Sequence, residues 1–272
     1  MTRNVLSQII LMVILSLPGT EVSAQQTKSA KDDNWWLTPH RLLQTNLREI
    51  DATMDIEQYV REVKDFGANI VLFNVGGIVA NYPTELEYHW RNTFMEGDLT
   101  GEVLKKLHKA GIKMIGRFDF SKINEKYAFK HPEWLYVSEK GEHVNYNGQV
   151  HTCVMGGYQQ EYMLKVLKEA LTKYPLDGVF FNMIGFPQTD YSRNFHGICQ
   201  CENCKASFKD FCDLDIPKHD GDPEALQKHQ QWKSIQVDRQ FGRVRDLIKS
   251  IRSDIVICTY TTKYIDLIRK ES

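Results

Sequence analysis

The residues of this 272-residue chain that could do chemistry fall into two groups, thiols and carboxylates. Cys199, Cys201 and Cys204 form a Cys-x-Cys-x-x-Cys run. Thiolates at i, i+2 and i+5 in a turn can converge on one tetrahedral ion, which then needs a fourth ligand from elsewhere. Cys153 is the first candidate, with Cys212 or His196 behind it. Four protein ligands leave no open position for water, so the expected site is a structural zinc rather than a catalytic one. Two disulfides among these five cysteines, or free thiols, are the alternatives. Cys258 reads as a small buried apolar residue inside a strand.

The carboxylates in question are Asp119, Glu49 and Asp190, each at or just after the end of an expected strand. Arg117-Phe118-Asp119 alternates, which points Arg117 and Asp119 to the same side. A cation beside the acid suits a nucleophile, a base or a hydrogen-bond acceptor better than a general acid. An ordinary salt bridge is the competing reading of that pair, and a solvated loop position that of Glu49 and Asp190. Polar partners are expected at the same rim: Asn46 and Arg48 after the first strand, Asn74 after the second, Asn182 after the fourth, and His151 in a long loop. Wide rings in loops (His89, Trp90, Trp134 and Tyr158) could supply flat faces for stacking.

One recurring unit must position these residues. Arg41–Leu47 reads as a first strand, and Asp55 with Gln58 as a capping box for a helix with Ile56, Tyr59, Val60, Val63 and Phe66 on one face. Gly67 closes it, and Asn69–Phe73 is a second strand. Asp98 caps a helix carrying Val103, Leu104 and Leu107, which Gly111 ends. Ile112–Phe118 is the third strand, followed by a long insertion, Asp119–Tyr158. The next helix buries Met163, Val166, Leu167, Ala170, Leu171 and Tyr174. Gly178–Phe181 is the fourth strand, an apolar run without the alternation of a half-exposed one. After the cysteine loop come a helix, Ile235–Ile251, with Phe241, Val244, Leu247 and Ile248 inward, and a fifth strand, Ile255–Tyr260.

Strand and helix alternate without hairpin signals, a pattern that demands parallel strands with right-handed crossovers. The candidates are a (β/α)8 TIM barrel and an open doubly wound sheet. The barrel is the expected α/β fold, because the first βα turn lacks a Gly-x-Gly-x-x-Gly for a dinucleotide and the strand-end loops are long and aromatic. About five βα units are present, residues 41–272 forming the barrel's N-terminal part, and no organic cofactor is expected. A formal net charge of -1 gives no basic excess for nucleic acid. Residues 1–24 have signal-peptide anatomy: an arginine, an apolar stretch from Val5 to Leu17, then Val22-Ser23-Ala24. That stretch falls short of the ~20 residues a membrane span requires. Residues 25–40 are then a polar lead-in, and a secreted or periplasmic protein without a membrane span is expected.

Arg117-Phe118-Asp119, His131-Pro132-Glu133-Trp134, Lys140-Gly141, Cys153, Asp177-Gly178-Val179-Phe180-Phe181 and the Cys-x-Cys-x-x-Cys run occur in an order that resembles bacterial TIM-barrel proteins classed as hypothetical glycoside hydrolases (GHL6-like). These look like relatives of the α-L-fucosidases and the family-42 β-galactosidases. The resemblance implies a barrel that hydrolyses an oligo- or polysaccharide. It also supports Cys153, because the β-galactosidases pair such a run with a distant cysteine around a structural zinc. Two templates for the acids conflict with the sequence. The fucosidase pattern ends strand four in a nucleophilic aspartate where this chain has Asn182, and the β-galactosidase pattern has an Asn-Glu pair where this chain has Asn182-Met183. A degenerate, non-catalytic carbohydrate binder and an inactive truncated fragment are therefore the competing expectations.

Overall fold

The computed structural model describes residues 35–259. The signal-peptide reading, most of the lead-in and the residues after the fifth strand lie outside them. Five strands form one parallel sheet: β1 (Leu42–Thr45), β2 (Ile70–Gly77), β3 (Lys113–Asp119), β7 (Gly178–Asn182) and β8 (Val256–Thr259), in the order β1-β2-β3-β7-β8. Sequence neighbours are thus spatial neighbours, as a barrel requires. Each of these strands coincides with an expected one.

The long insertion folds on its own. It contains β4 (Lys122–Asn124), α3 (Glu125–Ala128), β5 (Asn145–Tyr146) and β6 (Gln149–His151), the strands pairing antiparallel in the order β4-β6-β5. Strands of two or three residues are too short to leave a usable period in the sequence.

The helices follow their caps. Asp55 accepts from the Gln58 amide at 3.0 Å to start α1 (Ile56–Asp65), and Asp98 accepts from Gly101 N at 2.9 Å to start α2 (Leu99–Lys109). The capping box is only half made, because the Gln58 side chain donates to Glu62 instead. Phe66, expected inward, is 68% exposed. It lies one residue past the end of α1, where the helical face no longer applies. A π-helical turn, Tyr158–Tyr162, leads into α4 (Met163–Lys173), whose expected inner face is buried throughout.

Two helical segments go beyond the expectation. Cys201 opens α5 (Glu202–Cys212), so the cysteine run ends on a helix start. The last helix, α6 (Pro223–Ile251), begins at Pro223 rather than Ile235, with Asp222 capping Ala225 N at 3.0 Å. Its first turns are polar, but Ala225, His229 and Trp232 recur at helical spacing and are buried. Asp-Pro at the N-cap and first helical position marks that start.

Two apolar clusters result. The larger lies between the parallel sheet and α1, α2, α4 and α6, and includes Val71, Phe73, Val103, Met114, Leu167, Val179, Val244 and Ile248. The smaller surrounds the cysteines with Tyr136, Val144, Ile198, Phe208 and Trp232.

Candidate functional site

Asp119 is the last residue of β3, and the register sets its neighbours: Gly77 of β2 on one side and Asn182 of β7 on the other. The carboxylate is 5% exposed. Its Oδ1 accepts from Ser121 N (3.0 Å) and Ser121 Oγ (2.6 Å), and its Oδ2 accepts from Asn182 Nδ2 at 2.7 Å. Arg117 Nη2 stands 3.9 Å from Oδ2, while Arg117 Nη1 donates to Asn74 Oδ1 at 3.3 Å. The expected alternation therefore places Asn74, Arg117, Asp119 and Asn182 together at the carboxyl ends of three adjacent strands, where α/β barrels keep their sites.

A register shift between Asn74 and Gly76 bends the end of β2 beside this group. Gly77 has φ +102°, and any Cβ there would collide with the Asp119 backbone. The absence of a side chain is what lets the two strand ends approach.

A cleft of about 400 Å³ opens here, lined by Leu47, Arg48, Glu49, Asn74, Gly76, Ile78, Val79, Asn81, Asn92, Arg117, Asp119 and Gln149. Glu49 and Asp119 thus face one space. Glu49 Oε2 accepts from Trp90 Nε1 at 3.1 Å, and its carbonyl accepts from Asn92 Nδ2 at 3.0 Å. Arg48 lines the cleft but turns its guanidinium to Asp51 at 2.8 Å. Asn46 is exposed, hydrogen-bonded to Gln44, and does not line the cleft.

Three of the expected ring faces lie elsewhere. His89 is buried, accepting from Gly77 N at 3.1 Å, and burial pushes its pKa down to about 4. Tyr158 is also buried, donating to Gly77 O at 2.8 Å. Trp134 stacks on His131, with centroids 3.9 Å apart, and packs against Tyr88, Tyr158 and Tyr162. Trp134 and Tyr158 hold the insertion onto the barrel, while His89 packs within the loop after β2, against Tyr82. Gly157 abuts the Trp134 ring and Gly156 the Trp134 backbone. Trp90 is half-buried, with Lys126 Nζ 4.6 Å from its ring centre.

A second, smaller pocket of about 60 Å³ is lined by Ser121, Lys122, His151, Met183, Pro187, Thr189, Asp190 and Tyr191. Asp190 accepts from Asn194 Nδ2 (2.9 Å) and pairs with His196 Nε2 (3.1 Å). Burial opposes the charge, but these hydrogen bonds hold the carboxyl down to about 2. A group so held is a poor proton donor near neutrality. His151 is buried, its Nε2 unpartnered, and burial pushes it down to about 4. Lys122 carries no motif, yet it is 2% exposed, with its Nζ 3.9 Å from the Tyr191 ring centre. A lysine three residues past a strand-end acid, amid an otherwise apolar and small-residue stretch, is the one signal the sequence offers for it.

The four thiols converge. Cys153 Sγ lies 3.3 Å from Cys204, 3.5 Å from Cys201 and 3.7 Å from Cys199, and all four sulfurs lie within 4.8 Å of one another. All four are buried. Met155 N donates to Cys153 Sγ at 3.3 Å. The two stand-in ligands are engaged elsewhere, Cys212 with Phe208 O and His196 with Asp190. Glu139 locks the loop from outside, accepting from Ile198 N and His219 N, each at 2.7 Å.

Residues 55–183 match the family described as hypothetical glycosyl hydrolase 6. That stretch carries Asn74, Arg117, Asp119, Cys153 and Asn182, whereas Glu49, Asp190 and the Cys-x-Cys-x-x-Cys run fall outside it. A search of curated proteins finds none similar in sequence. Among solved structures, the chain is similar to α-L-fucosidase isoenzyme 2 from Paenibacillus thiaminolyticus (TM-score 0.65, 17% identity, 85% of this chain and 34% of that one). It is also similar to the cold-adapted β-galactosidase from Rahnella sp. R3 (TM-score 0.61, 17% identity, 82% and 36%). The glycoside hydrolase domain of PgaB (BpsB) from Bordetella bronchiseptica is a third neighbour (TM-score 0.59, 14% identity, 81% and 64%). At these identities the likeness is one of fold, and the chain spans about a third of the first two. It supports the expected architecture: five strands of a TIM barrel, covering part of its neighbours' length.

Proposed function

We propose that this glycosyl hydrolase-like chain hydrolyses a glycosidic bond in the cleft at the carboxyl ends of β1 to β3. The observation that carries the reading is the placement of Asp119: a nearly buried carboxylate, fixed by Ser121 and Asn182, facing the same cleft as Glu49. Two carboxyl groups across a sugar are what glycoside hydrolysis requires. Asp119, with its orientation fixed and a guanidinium at 3.9 Å, suits the nucleophile or base, which leaves Glu49, on the same cleft, for the acid. The cleft volume fits a sugar ring, and Asn74, Arg117 and Gln149 bring polar groups to its wall.

The thiol cluster fits zinc. A Zn–S length of about 2.3 Å implies a tetrahedral edge of about 3.8 Å. The three sulfur separations from Cys153, 3.3 to 3.7 Å, lie close to that edge. They far exceed a disulfide bond of about 2.05 Å. Cys153, Cys199, Cys201 and Cys204 would hold the metal, which would supply structural cross-linking with no position for water. The leader at residues 1–24 supports action outside the cytoplasm, and no helix among the described residues is long and apolar enough to cross a membrane.

The test is turnover of a panel of 4-methylumbelliferyl glycosides by the purified chain. Release of fluorophore is expected for at least one glycoside, with a loss of about 10³-fold or more in Asp119→Asn. Undiminished turnover in that variant overturns the assignment. A binder without catalysis is the second reading, favoured by the amide of Asn182 where a second acid could have stood; it predicts sugar binding with no turnover in either form.

A further inference from the structure

The small pocket beside Asp119 is built in an unusual way for its size. Lys122 and His151 are 2% and 5% exposed, yet His151 Nε2 has no hydrogen-bond partner, and Lys122 Nζ meets the Tyr191 ring without a hydrogen bond among the described residues. Arg117 Nε, on the other side of Asp119, is likewise buried and unpartnered. Buried polar groups are nearly always paired, and each exception asks for an explanation.

The charged groups acting on Lys122 are Asp119, Asp190 and Arg117, of which Asp190 shares the small pocket with it. Formal charge balances, but hydrogen-bonding capacity does not. Asp119 is already occupied by Ser121 and Asn182, and Asp190 by Asn194 and His196. The donors of Lys122 and Arg117 Nε are left over. Burial lowers the Lys122 amine, and the charges of Asp119 and Asp190 only partly offset that. A surplus of donors calls for a ligand group rich in acceptors.

Position adds a second constraint. Asp119 and Gln149 wall the large cleft, and two or three residues further along the same segments Ser121, Lys122 and His151 wall the small one. About 60 Å³ admits a substituent, not a ring. We infer that the sugar in the large cleft is an acidic one, and that its carboxylate enters the small pocket to take the free donors of Lys122. This rests on the proposed glycosidase reading and narrows it to uronic-acid-containing saccharides. A carboxylate is favoured over a hydroxymethyl group, because it offers two acceptor oxygens with no donor of its own and adds a Coulombic attraction to the buried ammonium.

The experiment compares binding of D-glucuronate and D-galacturonate with D-glucose and D-galactose to the full chain by calorimetry at fixed salt. At least one uronate is expected to bind about tenfold or more tightly than its neutral counterpart, the scale of one charge-assisted hydrogen bond. Lys122→Met, which keeps the length of the buried stem, is expected to erase that difference. Equal or weaker binding of both uronates in the wild type overturns the inference whatever happens to the variant, and so does a preference that survives Lys122→Met in folded protein. Neutral sugars binding alone, with Asp119-dependent turnover, would leave the glycosidase reading standing and remove only this one. Failure of every sugar to bind would remove both.

Discussion

Gly77 is where the backbone itself is predicted to set the site. At φ +102°, an L side chain adds about 1–2 kcal/mol of left-handed strain. The added Cβ would also overlap the Asp119 carbonyl, which belongs to paired backbone and cannot swing away, so β2 and β3 must part at their ends. Overpacking of that kind costs about 1–3 kcal/mol. The loss of unfolded-chain freedom returns about 0.4–1 kcal/mol. Gly77→Ala should therefore destabilise by about 3 kcal/mol net, read as a denaturant or thermal midpoint shift. Two controls separate the contributions. Gly141→Ala has φ +84° and nothing within 4 Å, so it carries the strain alone, about 1 kcal/mol net. Gly116→Ala has an ordinary φ but would meet Leu176 Cδ1 at 2.7 Å and Val75 Cγ2 at 3.1 Å, so it carries a clash with buried side chains and no backbone strain. If Gly77→Ala proves no more destabilising than Gly141→Ala, the close approach of the two strand ends is not what fixes Asp119.

Two further outcomes can be checked directly. The purified chain should contain about one zinc per molecule by elemental analysis, and Cys204→Ser or a chelator should remove it and lower the melting temperature, because a closed four-thiolate site stabilises the folded state outright. Stability should also fall as pH drops through the histidine range. His89 and His229 are both held down to about 4 by burial, below the ordinary value of 6.5. The unfolded chain then binds more protons between these values, so their contribution is complete above about 6.5 and fades toward 4. Denaturant midpoints at pH 7 and pH 5 should differ by about 2 kcal/mol per histidine, and a midpoint that rises on acidification would contradict the burial argument.

Much of this architecture was legible because two periods dominate it. Runs such as Ile70–Phe73 and Gly178–Phe181 are apolar without alternation, and the helix faces at Val103 and Val166 recur at helical spacing, so the parallel sheet and its order followed. Arg117-Phe118-Asp119 placed its two charged groups side by side, as found. The rim was read less well for a physical reason. An aromatic in a loop looks available for stacking, but Trp134 and Tyr158 are consumed in fixing the insertion, and His89 is buried against Gly77 and Tyr82, needs that arise only from tertiary contacts. Lys122 was illegible for the opposite reason: a lysine ordinarily marks a surface, and its burial is decided by Tyr191, far along the chain.

The thiol cluster joins the insertion after β3, through Cys153, to the segment after β7, through Cys199 to Cys204. A metal shared by these four thiols would tie Gln149 in one wall to Asp190 and Tyr191 in another through a single bridge. The turn after β1 is tied separately, through Glu49 to Trp90 and Asn92, so that the walls of the cleft are anchored in two independent ways.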